Sequence, residues 1–162
     1  MSVETQTLER AYDAFLATAE RVVAERDVSR PGDDGGWSAE QVLAHVALVD
    51  AATLEAAARI AAGGRAVYDN RVSLDASTIG ATIAAAGGAA GLIERIRSQG
   101  AALGLLVGSV LSDPELARKV PALLVSGDDV VLDATLTLEE IVGGLAADHL
   151  PRHGEQLEAA GA

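Results

Sequence analysis

The 162-residue chain contains no cysteine, which excludes a disulfide, a thiolate metal site and a nucleophilic thiol of its own. Any sulfur chemistry performed here must draw its thiol from outside. Aromatic residues are almost as scarce, at 2%, while 49% of residues are apolar, so the core must be built from Ala, Leu, Val and Ile. That mixture suits close-packed helices better than a sheet, where β-branched and aromatic residues prevail. Positive charge is also short: twelve Lys and Arg stand against twenty-four Asp and Glu, a net charge of −12. Without a basic face to displace counterions, nucleic acid is not an expected partner, and an anionic membrane surface is disfavoured for the same reason. Uninterrupted apolar runs such as "AALGLLVGSVL" fall far short of a membrane span. The opening "MSVETQTLERAYDAF" is polar and acidic, without the apolar segment of a signal peptide. A cytoplasmic protein is expected, folded as one domain over residues 1–162, with no internal repeat or linker.

What is present is helical periodicity. Leu8, Tyr12, Phe15, Ala19 and Val22 recur at three- and four-residue steps and predict a first helix over about 3–27. The turn-forming cluster "SRPGDDGG" at 29–36 stops it. Ser38 and Gln41 form a capping box for a second helix, with Trp37 placed as a hydrophobic staple, and Gly63-Gly64 ends it. "GGRAVYDNRVSLDA" reads as a connecting loop. Residues 77–111 read as a long bent helix, or two pieces broken at Gly87-Gly88. "PELARKV" adds a short turn, and "PALLVSGDDVVLDATL" has the Val/Leu-rich runs of a hairpin. A last helix opens at Thr137, capped with Glu140, and continues to about residue 160. Four main helices predict an all-α fold, a four-helix bundle with one long connection and a small hairpin before the last helix.

All three histidines fall on or beside apolar helical faces. His45 shares a face with Val42 and Val49, while His149 and His153, one turn apart in "ADHLPRHGEQL", share theirs with Leu145, Gln156 and Leu157. Two imidazoles from one helix and a third from its neighbour would present three nitrogens, a set suited to Zn²⁺, Ni²⁺ or Fe²⁺ with positions left open. The same spacing also describes a helix end carrying two hydrogen-bonded or solvated histidines. Pro151 lies between them, removing one backbone donor and biasing Leu150 away from helical angles. A kink there keeps the two rings aligned, whereas a break separates them; a kink is expected. Gln41, Thr53 and Gln156 have the phase to orient an imidazole. Asp50, Glu55, Asp148 and Glu155 lie off the histidine face and read as solvated acids. Arg30, Arg65, Arg71 and Arg152 are candidates to meet an anionic ligand, and surface solvation explains each equally well.

"GWSAEQVLAHVALVDAATLEAA", followed downstream by "SDPELARKVP" and "TLTLEEIVGGLAADHLPRHGEQL", resembles the DinB/YfiT-like superfamily. That superfamily includes thiol-dependent S-transferases and mycothiol-dependent maleylpyruvate isomerase-like proteins. The matching elements are Trp37-Ser38, Leu43-Ala44-His45, His149, His153 and Gln156-Leu157. Members often carry Glu after the first histidine of the pair and Gly before the Gln, where this chain has Leu150 and Glu155. The resemblance implies a bundle holding one divalent metal through His45, His149 and His153. It implies a transferase or isomerase that uses a low-molecular-weight thiol and a small electrophilic substrate. Eleven of the twelve basic residues are Arg, a usage typical of GC-rich coding sequence. In a GC-rich actinobacterium the thiol would be mycothiol; elsewhere it would be bacillithiol or glutathione. Two alternatives stay open: a metal-dependent hydrolase, and a non-enzymatic, stress-associated bundle acting through partners. Ala-rich faces such as "AATLEAAARIAA" would admit close contact between subunits, so a homodimer is expected.

Overall fold

The computed structural model describes residues 3–32 and 36–160. Helix α1 spans Val3–Glu25 and α2 spans Ala39–Ala61; residues 33–35 of the turn cluster between them lie outside the described residues. Ser38 caps α2 as its sequence requires: its side chain accepts from Gln41 N–H, and the Gln41 amide oxygen accepts from Ser38 N–H at 2.8 Å. A short strand β1 (Tyr68–Asp69) and a 3₁₀ turn (Arg71–Leu74) follow, then α3 (Ala76–Ala86) and α4 (Ala89–Leu105). Gly87 and Gly88, at φ 75° and 93°, supply the left-handed geometry that lets α4 leave α3 at 95°. A π-helical turn (Leu106–Val110) extends α4, and the single turn α5 (Asp113–Leu116) leads into the hairpin of β2 (Lys119–Ser126) and β3 (Asp129–Thr137).

Thr137 caps the last helical stretch through its predicted box with Glu140. That stretch runs through α6 (Leu138–Gly144), a π turn (Leu145–His149) and α7 (Leu150–Ala159) without leaving helical angles. Pro151 therefore neither breaks it nor acts as a simple kink within an α-helix. In the widened turn before it, Leu150 N–H bonds Leu145 C=O five residues back, and Leu150 keeps φ −63° and ψ −46°. The wider turn accommodates a residue that has no N–H to give.

The all-α expectation is corrected by a three-stranded sheet in the order β1-β2-β3, with β1 parallel to β2 and β2 antiparallel to β3. The hairpin was legible. The parallel strand β1 was not, because two residues carry no alternation to read and the segment around them is rich in turn formers. The helices hold the core: α2 packs on α4 and α7, and α1 packs on α4 and α7. Leu8, Leu43, Ile60, Leu92, Ile96, Leu103, Leu138, Leu150 and Leu157 are fully buried. Each such side chain stabilises by roughly 1.5–3 kcal/mol through burial alone. Small residues let the helices approach: Ala19, Ala44, Ala56 and Ala57 are completely covered, and a Cβ at Gly100 would stand 2.8 Å from the Tyr12 ring. Helix α2 is long and apolar enough by composition to cross a membrane, but most of its surface is already buried against its neighbours, as in a core helix.

Candidate metal centre

The last helical stretch and α2 bring the three histidines together. One ring nitrogen from each of His45, His149 and His153 lies within 4.8 Å of the others. The ring centroids are 5.2 Å apart for His45–His149, 4.6 Å for His45–His153 and 4.4 Å for His149–His153. His45 and His153 are buried, at 4% and 8% exposure, and His149 is half-buried.

Hydrogen bonds determine which nitrogen of two rings is available. His45 Nδ1 lies 2.9 Å from the Ser73 carbonyl oxygen, which only accepts, so Nδ1 bears the proton and Nε2 keeps its lone pair. His153 Nδ1 lies 2.7 Å from Gln156 Oε1, which imposes the same tautomer. Among the described residues, His149 Nε2 is buried with no hydrogen-bond partner, an arrangement that costs about 1–3 kcal/mol when nothing fills it. All three rings are held neutral. Burial pushes His45 down to about 4, against the opposing pull of the Ser73 carbonyl, with His153 and Arg152 adding to the depression. Burial, then His153, His45 and Arg152, push His149 further down. Burial also lowers His153, opposed by Gln156, with Arg152 lowering it and Asp148 raising it. Three neutral imidazoles, two with Nε2 left free by their tautomers and the third with a buried, unpartnered Nε2, fit a divalent metal, whose ligation requires the deprotonated nitrogen.

The other sequence candidates separate cleanly. Gln156 orients His153, but the Gln41 amide is committed to the α2 cap and the Thr53 hydroxyl to the Val49 carbonyl. Asp50 is fully buried, accepting from Tyr12 Oη at 2.8 Å. Exposed Glu55 pairs with Arg59, and Glu155 is exposed beside α1. Arg71 is paired with Asp69. Arg152 is the cation whose charge reaches all three imidazoles, and its ion pair with Asp148 is loose, at 3.6 Å between side chains 64% and 74% exposed. Trp37, expected to act as a staple, sets its half-buried ring 5.2 Å from that of His45. Sequence reasoning missed Ser73. Its contribution is a backbone carbonyl, which leaves no signature in residue type.

No family model matches the sequence, and no curated protein matches it. The fold is similar to the crystal structure of the mycothiol-dependent maleylpyruvate isomerase, at a TM-score of 0.63 and 14% identity. The overlap covers 98% of this chain and 64% of that one, so the chain spans less than two thirds of its neighbour's length. What is shared is the fold.

Proposed function

We propose that the chain binds one divalent metal through His45, His149 and His153 and acts as a thiol-dependent transferase or isomerase on a small electrophile. The observation that carries this reading is the orphaned, buried Nε2 of His149, facing two rings whose tautomers are already set for ligation. A divalent ion held there supplies Lewis acidity and favours the thiolate of an incoming thiol. The chain's own residues supply the rest. Ser73 and Gln156 hold the Nδ1 protons of their histidines, keeping the second nitrogen of each ring free. The Trp37 ring covers one side of His45 and limits water there. Arg152 adds positive charge at the same place, which favours a substrate or thiol carrying a carboxylate. Because the chain has no cysteine, the thiol is a separate molecule of the mycothiol or bacillithiol class.

Hydrolysis is less well supported. Among the described residues the histidine cluster contains no carboxylate to serve as a base, and Asp148, beside it on the chain, is exposed and paired with Arg152. Zinc, nickel and iron all suit three imidazoles, so metal identity is a matter for elemental analysis. The test has two stages. Purified or reconstituted protein should carry one divalent ion per chain, and His45→Ala should carry far less; absence of uptake by both ends the proposal. The loaded protein should then turn over an electrophile with mycothiol or bacillithiol, and turnover that needs no thiol would favour the hydrolase.

A further inference from the structure

The carbonyl that fixes His45 belongs to the connection between α2 and α3, and one side chain ties that connection to the sheet. Asn70 follows β1, and its side-chain amide continues the parallel ladder where the backbone of β1 stops. Its Nδ2 donates to the Val125 carbonyl at 3.0 Å, and its Oδ1 accepts from Val125 N–H at 2.8 Å. The Asn70 backbone N–H bonds the Leu123 carbonyl at 3.3 Å. The paired contact on Val125 falls where β2 shifts register against β3 between Leu124 and Val125. The amide thus takes the place of a peptide group at an irregular point of the ladder. On its other side the Asn70 carbonyl accepts twice from Ser73, from N–H at 3.0 Å and from Oγ at 2.6 Å. Ser73 is buried, and its own carbonyl accepts from His45 Nδ1. A continuous run of hydrogen bonds therefore joins β2 to His45 through Asn70 and Ser73.

We infer that Asn70 is a positioning residue for His45, holding the Ser73 carbonyl where it fixes the Nδ1–H tautomer and leaves Nε2 free. A backbone acceptor cannot be deleted by substituting its own side chain; only its placement can vary. Asn70 governs that placement, because its amide makes both bonds to Val125 and its carbonyl receives both bonds from Ser73. Without the amide, the 3₁₀ turn loses this anchor on β2, and the Ser73 carbonyl is free to drift from the imidazole. His153 is oriented independently by Gln156 within α7 and should not respond.

The test compares Asn70→Ala and Asn70→Asp with Gln156→Ala. The Asp variant keeps the shape while replacing the donor to Val125 with a second acceptor. Nitrogen NMR of the metal-free protein reports each histidine tautomer, and competition with a chromophoric chelator gives zinc affinity. The wild type should show His45 protonated at Nδ1. The Asn70 variants should show a mixture at His45 with His153 unchanged, and bind zinc about tenfold more weakly, the low end of the effect of outer hydrogen-bond partners. Gln156→Ala should reverse the pattern, disturbing His153 alone. Should Asn70→Ala give no folded protein, Asn70→Asp carries the same readouts. Folded Asn70 variants that retain Nδ1–H at His45 and zinc affinity within twofold overturn the inference, as does an Nε2-protonated His45 in the wild type. The inference leans on the proposed metal site for its affinity readout only. A wild type that takes up no zinc removes that site, and the tautomer comparison then decides alone.

Discussion

Helix α2 carries two buried titratable side chains, His45 and Asp50, and among the described residues each belongs to a cluster with one buried atom lacking a partner. In the histidine cluster it is His149 Nε2; in the other it is Asp50 Oδ2. Five positions turn the two faces roughly 140° apart, so His45 meets the last helical stretch while Asp50 meets Tyr12 on α1. The orphaned atoms have different remedies. A carboxylate oxygen is neutralised by a proton, and burial pushes Asp50 up to about 8, opposed by the hydrogen bond from Tyr12, so the acid is largely neutral at pH 7. An imidazole lone pair gains nothing in this way, because protonation would bury a cation beside two other rings, and the same burial pushes His149 down. A metal can use that lone pair. On the proposed reading, the same structural symptom marks a ligand site in one cluster and an internal tie in the other.

The sharpest way to break this comparison is to remove one member from each cluster and measure zinc uptake. His149→Ala deletes one of three ligands and should weaken binding by roughly a hundredfold or more, taking about 3 kcal/mol per ligand from structural zinc sites. Asp50→Asn should leave zinc affinity unchanged. Loss of zinc in the Asp50 variant would show that the clusters are coupled and the contrast misplaced. In the wild type, zinc at a hundred times its dissociation constant should add about 2.7 kcal/mol to stability. His149→Ala should lose that gain at the same zinc concentration.

Metal-free protein should show the contrast as two opposed pH dependences. The histidines titrate lower in the fold than the usual 6.5, so below that pH the unfolded chain binds more protons than the native state. Their contribution is therefore present above about pH 6.5 and lost as pH falls toward 4. Asp50 titrates higher in the fold than its usual 3.8, so the native state holds the extra proton and stability declines as pH rises toward about 8. Between 4 and 6.5 the three histidines outweigh the single acid. The Asp50 decline, worth roughly 1–2 kcal/mol between pH 6.5 and 8 at 1.36 kcal/mol per unit, prevails only above about pH 7, once the unfolded histidines have lost most of their protons. Chemical denaturation across this range should find a maximum near pH 7, as the balance of the two proton uptakes requires. Asp50→Asn should flatten the alkaline side and His149→Ala should lessen the acid side; a curve unchanged by either substitution contradicts the assignment.

The histidine cluster was far more legible in sequence than its surroundings. His45, His149 and His153 fall at helical spacing on faces that capping boxes at Ser38 and Thr137 had already placed. Gln156 was legible too, three residues beyond His153 on the same helix. Asp50 was misread as a solvated acid, because a lone Asp among alanines shows no sign of the tyrosine that will cover it from α1. Ser73, Asn70 and β1 were hidden for another reason. They act through backbone groups and a side-chain amide standing in for one, and hydrogen bonding of that kind leaves no pattern in residue type. The π turn before Pro151 was also illegible, since a rule framed on bonds four residues back sees only a break or a kink there.

The smallest effect lies in the Asp50 cluster and probes its protonation directly. Tyr12→Phe deletes the hydroxyl that donates to Asp50 Oδ1 and keeps the ring that fills the space beside Gly100. With Asp50 neutral, the loss is that of an ordinary buried hydrogen bond, about 0.5–1.5 kcal/mol. With Asp50 ionised, the lost bond is charge-assisted, about 1.5–3 kcal/mol, and the carboxylate keeps no donor that would make ionisation tolerable. The substitution should therefore cost about 1 kcal/mol at pH 6 and more at pH 9, with zinc affinity unchanged at both. Denaturant titrations of wild type and variant at the two pH values read this difference. An equal cost at both would mean that Asp50 does not change charge between them, and that the proton assigned to it belongs elsewhere.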